Sequence, residues 1–327
     1  MEIEIEYLLK LFDRAVSRKS FIRIAGAALL FLISSGKYGK KALQAADKRL
    51  DSRKKRAVKT DFDLAVSKGK NPGAITRKAV DALGGMKRFV RPGDVVVVKP
   101  NIGWDRNPEQ AADTNPAVVA ELVKLCFESG AKTVKVFDNS CNDARRCYEN
   151  SGIQAAARKE GAMVYFIPDW KYYPANMPAG SAMADWPLFE DAVKCDCFIN
   201  VPIAKHHSLT KLTLSMKNLM GICGGTRGQI HWGIEKKLGE LALFIKPDLT
   251  VIDANRILLR HGGGGGSLED VAEKNTVIAG TDPVLCDSYA ATVFGVKPES
   301  ISYIVKAAEM GAGSMNLASA RIKFINA

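Results

Sequence analysis

Arg91-Pro92-Gly93-Asp94-Val95-Val96-Val97-Val98-Lys99-Pro100-Asn101 is the stretch that decides the fold. A Pro-Gly turn admits a short, almost continuous β-branched run, Asp94–Lys99, with no polar alternation. That pattern predicts a strand covered on both faces, as in a parallel sheet. Asn115-Pro116 then supplies a helix cap and a proline at the first helical position. The periodic stretch Ala117–Glu128 follows and stops at Gly130. Thr133–Asp138 is the next β-branched run. Strand, helix and strand in this order call for two parallel strands joined by a crossover.

The same grammar extends outward. Met163–Ile167, Cys197–Val201, Leu249–Asp253 and Thr276–Ala279 read as strands. Helices are predicted over 72–88, 144–159, 187–194, 209–220, 235–245, 283–294 and 298–310, with Asp282-Pro283 repeating the cap-and-proline device. The expectation is an α/β domain over 61–327, a largely parallel sheet flanked by helices, as one domain or two lobes. In such sheets ligands sit beyond the carboxyl ends of the strands. Polar segments gather there: the long loop from Lys99-Pro100-Asn101 to Asn115, Asp138-Asn139-Ser140-Cys141, Asn200–His207 and Asp253-Ala254-Asn255-Arg256.

The 327 residues carry 47 Lys+Arg against 35 Asp+Glu, a net charge of +12. Residues 1–60 hold 15 of the basic and 6 of the acidic groups, leaving the body at only +3. A nucleic-acid surface on the fold thereby loses most of its support. Ser17-Arg18-Lys19-Ser20-Phe21-Ile22-Arg23, the apolar run Ile24–Ile33 and Ser34-Ser35-Gly36 have the layout of an export signal. It is similar to the twin-arginine type, with Lys19 in place of the second arginine. The segment 1–36 is expected to be a signal or anchor helix; a buried or amphipathic helix is the plain alternative. Residues 37–60, including Arg53-Lys54-Lys55-Arg56, are expected to be a solvated basic linker that can touch anionic lipid.

Four histidines fall between 206 and 261, namely His206, His207, His231 and His261. His207 and His231 are candidates for metal binding or proton transfer, since neutral imidazoles suit both. Lys217 and Asn218 end a mostly apolar stretch; a buried lysine there would bind an anion or act as an amine nucleophile, or cap a helix. Glycines 262–266 lack the spacing of a nucleotide-binding loop and read as a flexible loop or lid. Seven cysteines lack zinc or ferredoxin spacing; Cys141, Cys147 and Cys223 are the ones nearest the rim.

Taken in order and spacing, several of these pieces resemble a prokaryotic family catalogued as domain of unknown function 362. The resemblance rests on Val97–Asn101, Lys205-His206-His207, Thr213–Gly221, His231, Pro247–Asp253 and Ala279–Asp287, and it covers about residues 90–325. It implies that Lys99, Asn101, Lys205, His207, Lys217, Asn218, His231, Asp253, Asp282 and Asp287 share a site. It also implies export in many members and a ferredoxin-type module in some. This chain lacks the C-x-x-C-x-x-C run of that module, has His206 where a threonine is usual, and has Ala254 and a polyglycine run where a Gly-x-Gly-Pro-like stretch is common. A lysine near a Gly-rich turn, with several histidines, also bears a remote likeness to nickel-dependent lactate racemases.

The expectation that follows is an exported or membrane-tethered α/β enzyme, redox or isomerase in type. Lys99, Asn101, Lys205, Asn218, Asp253, Asp282 and Asp287 would bind a small anionic ligand, with His207, Lys217 and His231 catalytic. His207 and His231 would be the ligands of any metal ion. The alternative is a non-catalytic metal or iron–sulfur carrier in electron transfer. Expected partners are the small anion, plus the export machinery and membrane through residues 1–60.

Overall fold

In the computed structural model, which describes residues 48–326, the valine run lies inside a ten-stranded sheet. In chain order the strands are β1 (Leu64–Lys68), β2 (Val95–Pro100), β3 (Thr133–Val136), β4 (Met163–Val164), β5 (Tyr172–Pro174), β6 (Pro187–Phe189), β7 (Cys197–Val201), β8 (Ile203–His207), β9 (Lys211–Thr213), β10 (Leu249–Leu258), β11 (Val271–Gly280) and β12 (Ile322–Asn326). The α-helices are α1 (Pro72–Ala82), α2 (Pro116–Glu128), α3 (Ala144–Asn150), α4 (Ile153–Lys159), α5 (Glu190–Lys194), α6 (Ser215–Asn218), α7 (Ile234–Ile245), α8 (Pro283–Val293) and α9 (Ser302–Glu309). The main path runs β12-β1-β11-β10-β7-β2-β3-β4, with β8 and β9 branching from β10; β5 and β6 form a separate pair. Pairings from β10 through β4 are parallel, whereas β11 is antiparallel to both its neighbours, β10 and β1. The expected α/β architecture with a largely parallel sheet is therefore present.

Val96, Val97 and Val98 are all fully buried, and the pleat sends them alternately to two cores. Val96 and Val98 meet Val118 and Leu122 of α2; Val97 joins Phe198, Ile252 and the residues of α7 and α8. Burial of each valine stabilises the fold by about 1.5–3 kcal/mol, which is why a run without polar alternation belongs here. α2 begins as its sequence dictates: the Asn115 side chain accepts from the Ala117 amide at 2.9 Å, with Pro116 next. β2 lies between β7 and β3, with Lys99 opposite Asn200 and Val98 opposite Val136. The chain leaving β2 goes toward β3, and the chain leaving β7 goes into β8 beside β10. The two loops diverge, which opens a crevice at the carboxyl ends of β2 and β7.

Several expectations need correction. The apolar stretch 209–220 is not one helix: it is β9, the single-turn α6 and a 3-10 turn, Leu219–Ile222. Its residues from Leu212 to Met220 are buried throughout, so burial here is not the mark of a helix face. The helix expected over 144–159 is broken at Gly152, which takes a left-handed φ of 71°. Residues 187–189 belong to β6, leaving α5 as the helical part of 187–194. β10 and β11 are each ten residues long because they pair with each other beyond the parallel part of the sheet.

The basic linker is corrected as well. From Leu50 onward the chain packs as one unit, so residues 50–60 are part of the fold. Leu50 is buried and its amide donates to Pro174 O at 2.9 Å. Arg53 is buried in an ion pair with Asp248 and donates to Lys246 O at 2.9 Å. Lys55 donates to Thr281 O at 2.7 Å, and Arg56 to Asp94 at 2.8 Å. Three of the four charges in this run thus face protein partners. The proposed signal or anchor, and the part of the linker before residue 48, lie outside the described residues. No helix among the described residues is long and apolar enough to cross a membrane.

Candidate functional site

β2 delivers Lys99 to the crevice floor, where the side chain is fully buried. Its amine is 2.7 Å from Asp138 Oδ1 and donates to Pro100 O at 2.7 Å and to Asn218 Oδ1 at 3.1 Å. Burial lowers its pKa, and the adjacent Asp138 carboxylate opposes that shift. Asp138, just past β3, accepts from the Ile102 amide at 2.7 Å and so ties the two strand ends together. Asn218 completes the floor, its amide donating to Lys99 O at 3.2 Å and Asn200 Oδ1 at 2.8 Å. Gly221 is required above this ion pair, since a Cβ would fall 1.8 Å from Asp138 Oδ1.

Over that floor lies a cleft of about 380 Å³. Asn101, Trp104, Lys205, His207, Lys217, Arg227 and His231 line it. Lys205, from β8, donates to Ala112 O at 2.5 Å and Gly263 O at 3.1 Å, with its amine 5.7 Å from the Trp104 ring centre. Burial lowers its pKa, and the nearby Asp113 carboxylate counters this. Lys217 is different. It is 9% exposed, and among the described residues its amine has neither a hydrogen-bond nor an ion-pair partner. Burial, then the charge of Lys205, pull its pKa down to about 7. The side chain lines the cleft, where a ligand can take the place of the water around its amine.

The two histidines face each other as stacked rings, 5.6 Å between centres and 9° from parallel. His207 Nδ1 is approached by the Leu209 and Thr210 amides at 3.2 and 3.4 Å, so it accepts, and its proton is assigned to Nε2. His231 Nδ1 is 3.0 Å from Gly228 O, so it donates, and its Nε2 keeps a free lone pair. Burial, followed by the neighbouring Lys217 charge, lowers both; His207 falls to about 3. At neutral pH the pair is therefore uncharged, with one Nε2 a donor and the other an acceptor. This does not fit the metal site expected from the sequence. The lone pair of His207 is occupied at Nδ1 by the Leu209 and Thr210 amides, which leaves its Nε2 carrying the proton and not free to bind an ion. Among the described residues no group of three or more His, Cys, Asp or Glu side chains is placed to hold an ion. Cys223 and Cys147 are buried with thiols pushed up to about 12 and 11, while Cys141 lies exposed beside Arg227, 3.2 Å from its Nη2.

Residues 96–292, more than half of the chain, match the family described as Domain of unknown function (DUF362). The chain belongs to this family. The DUF362 segment contains every cleft residue named above. The chain is also 26% identical over 260 residues to the Thylakoid-associated protein sll1697 of Synechocystis sp., covering 77% of this chain and 78% of that protein. Among solved structures, the lactate racemase apoprotein from Thermoanaerobacterium thermosaccharolyticum aligns with a TM-score of 0.41 at 9% identity. That alignment covers 72% of this chain and 59% of the racemase chain.

Of the site residues read from sequence, the DUF362 domain brings Asn101, Lys205, His207, Lys217, Asn218 and His231 to the cleft wall, with Lys99 beneath. The three other carboxylates go elsewhere and are corrected. Asp253 is buried against backbone, accepting from Asn115 N at 2.7 Å and Asn255 N at 3.0 Å. Asp282 caps α8 through Val284 N and Leu285 N, at 2.8 and 3.0 Å, and also accepts from Ser314 N. Asp287 holds the first amides of α6, Ser215 N at 2.7 Å and Met216 N at 3.1 Å, and so positions Lys217 without reaching the cleft. The polyglycine run is also not a free lid. Gly263 lines the cleft against Trp104, where a Cβ would sit 2.6 Å from the indole.

Arg227 and Trp104 were not singled out from the sequence, and Asp138 was read only as part of the polar segment that follows the second strand. Arg227 fastens the segment after β3 by donating to Asn139 O and to Ser140 O, the latter at 3.1 Å. The signal for Arg227 in the sequence is a lone arginine among the glycines of Gly224-Gly225-Thr226-Arg227-Gly228.

Proposed function

We propose that the cleft binds a small anion and that the protein is an enzyme of the isomerase type, moving a proton on that ligand. The observation that carries this reading is the Lys217 amine, nine-tenths buried, unpartnered and facing the cleft. Lys205 and Arg227 add positive charge on the same walls. The stacked imidazoles supply a hydrogen-bond donor at His207 Nε2 and a base at His231 Nε2, the two functions that proton transfer needs. An anion would restore the charged form of Lys217, so binding takes up a proton near neutral pH. Calorimetry with inorganic phosphate and with lactate at pH 6.5 and 8.5 tests this. Affinity is expected to fall roughly tenfold or more over that range, and to be lost in Lys217→Met. Absence of saturable binding by either anion, or the same affinity in Lys217→Met, overturns it.

We also propose that the protein sits at a membrane through its N-terminal segment. Support comes from the basic, apolar and small-residue order of residues 17–36 and from the printed name of the thylakoid-associated relative. Deleting residues 1–47, which spares the Leu50 and Arg53 contacts, should move the protein from the membrane fraction to the soluble one. Equal partition of the two chains contradicts it.

A further inference from the structure

Three lysines meet at the crevice, and their surroundings separate them. Lys99 is locked between Asp138 and the Pro100 carbonyl, and Lys205 gives its protons to Ala112 O and Gly263 O. Lys217 alone of the three has an amine committed to nothing among the described residues. Pairing with an anion uses the charge of Lys217, and Arg227 and Lys205 bring further charge to the same cleft. A buried, uncommitted amine beside a donor and an acceptor imidazole is suited to something more, namely addition to a carbonyl carbon.

We propose that Lys217 is a covalent nucleophile that forms an imine with a 2-oxo acid. This rests on the anion-binding reading and adds the reacting atom. The carboxylate of such a ligand answers the charges of Lys205 and Arg227, and its carbonyl answers Lys217. With the carboxylate taken by Lys205 and Arg227, the Lys217 amine is free to react as the neutral base. Its Nζ lone pair adds to the carbonyl carbon, and the C–O π pair moves onto oxygen, where the His207 Nε2–H can hydrogen-bond it. His231 Nε2 takes a proton from nitrogen and passes it to that oxygen. The nitrogen pair then forms C=N as the C–O bond breaks. Both amine protons leave with the oxygen as water, and nothing is oxidised or reduced. The imine withdraws electrons from the neighbouring C–H, making its proton removable by His231 and so supplying an isomerase-type step.

The experiment is reductive trapping of the full chain at pH 7 with pyruvate and sodium cyanoborohydride, read by intact mass and peptide mapping. One adduct, the mass of pyruvic acid less one oxygen, is expected on the Lys217 peptide. It should be lost in Lys217→Arg, suppressed in wild type by excess phosphate, and unchanged in Lys211→Ala, whose amine is exposed and outside the cleft. Wild-type protein with no adduct at Lys217, or with labelling spread over exposed lysines and indifferent to phosphate, overturns the imine. Phosphate binding seen by calorimetry without trapping defeats the imine alone; absence of both defeats the anion-binding reading as well.

Discussion

Replacing Lys217 with Met is expected to stabilise the ligand-free protein near neutral pH. In the fold its pKa falls from 10.5 to about 7, chiefly through burial. Between those values the unfolded chain binds the proton and the folded one does not, so stability rises with pH across the window. The cost of burying this amine is therefore full below pH 7 and fades toward pH 10.5. At 1.36 kcal/mol per pK unit it amounts to about 4 kcal/mol at pH 7. The side chain is 9% exposed and lines the cleft, so cleft water screens the amine and removes part of this. Methionine fills the same space without charge, and a gain of roughly 2–4 kcal/mol at pH 7 is expected, shrinking to about a third of that at pH 9.5. Urea denaturation of both proteins at the two pH values measures it. A Lys217→Met protein less stable than wild type at pH 7, or a difference that ignores pH, refutes the reasoning.

Three further outcomes are expected. Asp287→Ala leaves the Ser215 and Met216 amides buried without acceptors, and should lower stability by about 2–4 kcal/mol in urea denaturation. Arg53→Ala strands Asp248 as an unpaired buried charge and should cost about 3–5 kcal/mol, whereas Lys54→Ala, at an exposed position, should be close to neutral in the same assay. Gly221→Ala forces a methyl into the Lys99–Asp138 ion pair, and should lower stability by about 1–3 kcal/mol or more, visible as a lower thermal midpoint.

What could be read from sequence was local. The valine run, the Asn115-Pro116 cap and the Asp282-Pro283 cap each carry their conformational preference in adjacent residues, and all three appear where expected. Residues 209–220 misled because strand, single-turn helix and 3-10 turn are all buried there, leaving no polar face to reveal a period. Arg53 misled for the complementary reason: a run of like charges looks solvated unless its partner is known, and Asp248 lies 195 residues away.

The site divides in the same way. Lysine and histidine candidates were visible by their chemistry, and the rule that ligands sit beyond strand ends located Lys99, Lys205 and His207, though not Lys217 or His231. Their states were not visible. That Lys205 is spoken for while Lys217 is not depends on carbonyls at Ala112 and Gly263, which the fold brings in from distant segments. Asp253, Asp282 and Asp287 are ligand-binding only by what the family resemblance implies, and each instead accepts from backbone amides.

The most direct measurement is the titration of the Lys217 amine itself, by NMR of protein carrying isotope-labelled lysine, with the signal assigned by its loss in Lys217→Arg. In the free protein it should titrate near pH 7. On saturation with inorganic phosphate the midpoint should climb by about a pK unit or more, as a paired ammonium requires. A midpoint near the ordinary lysine value without ligand, or one that phosphate does not move, contradicts an anion-binding role for this amine.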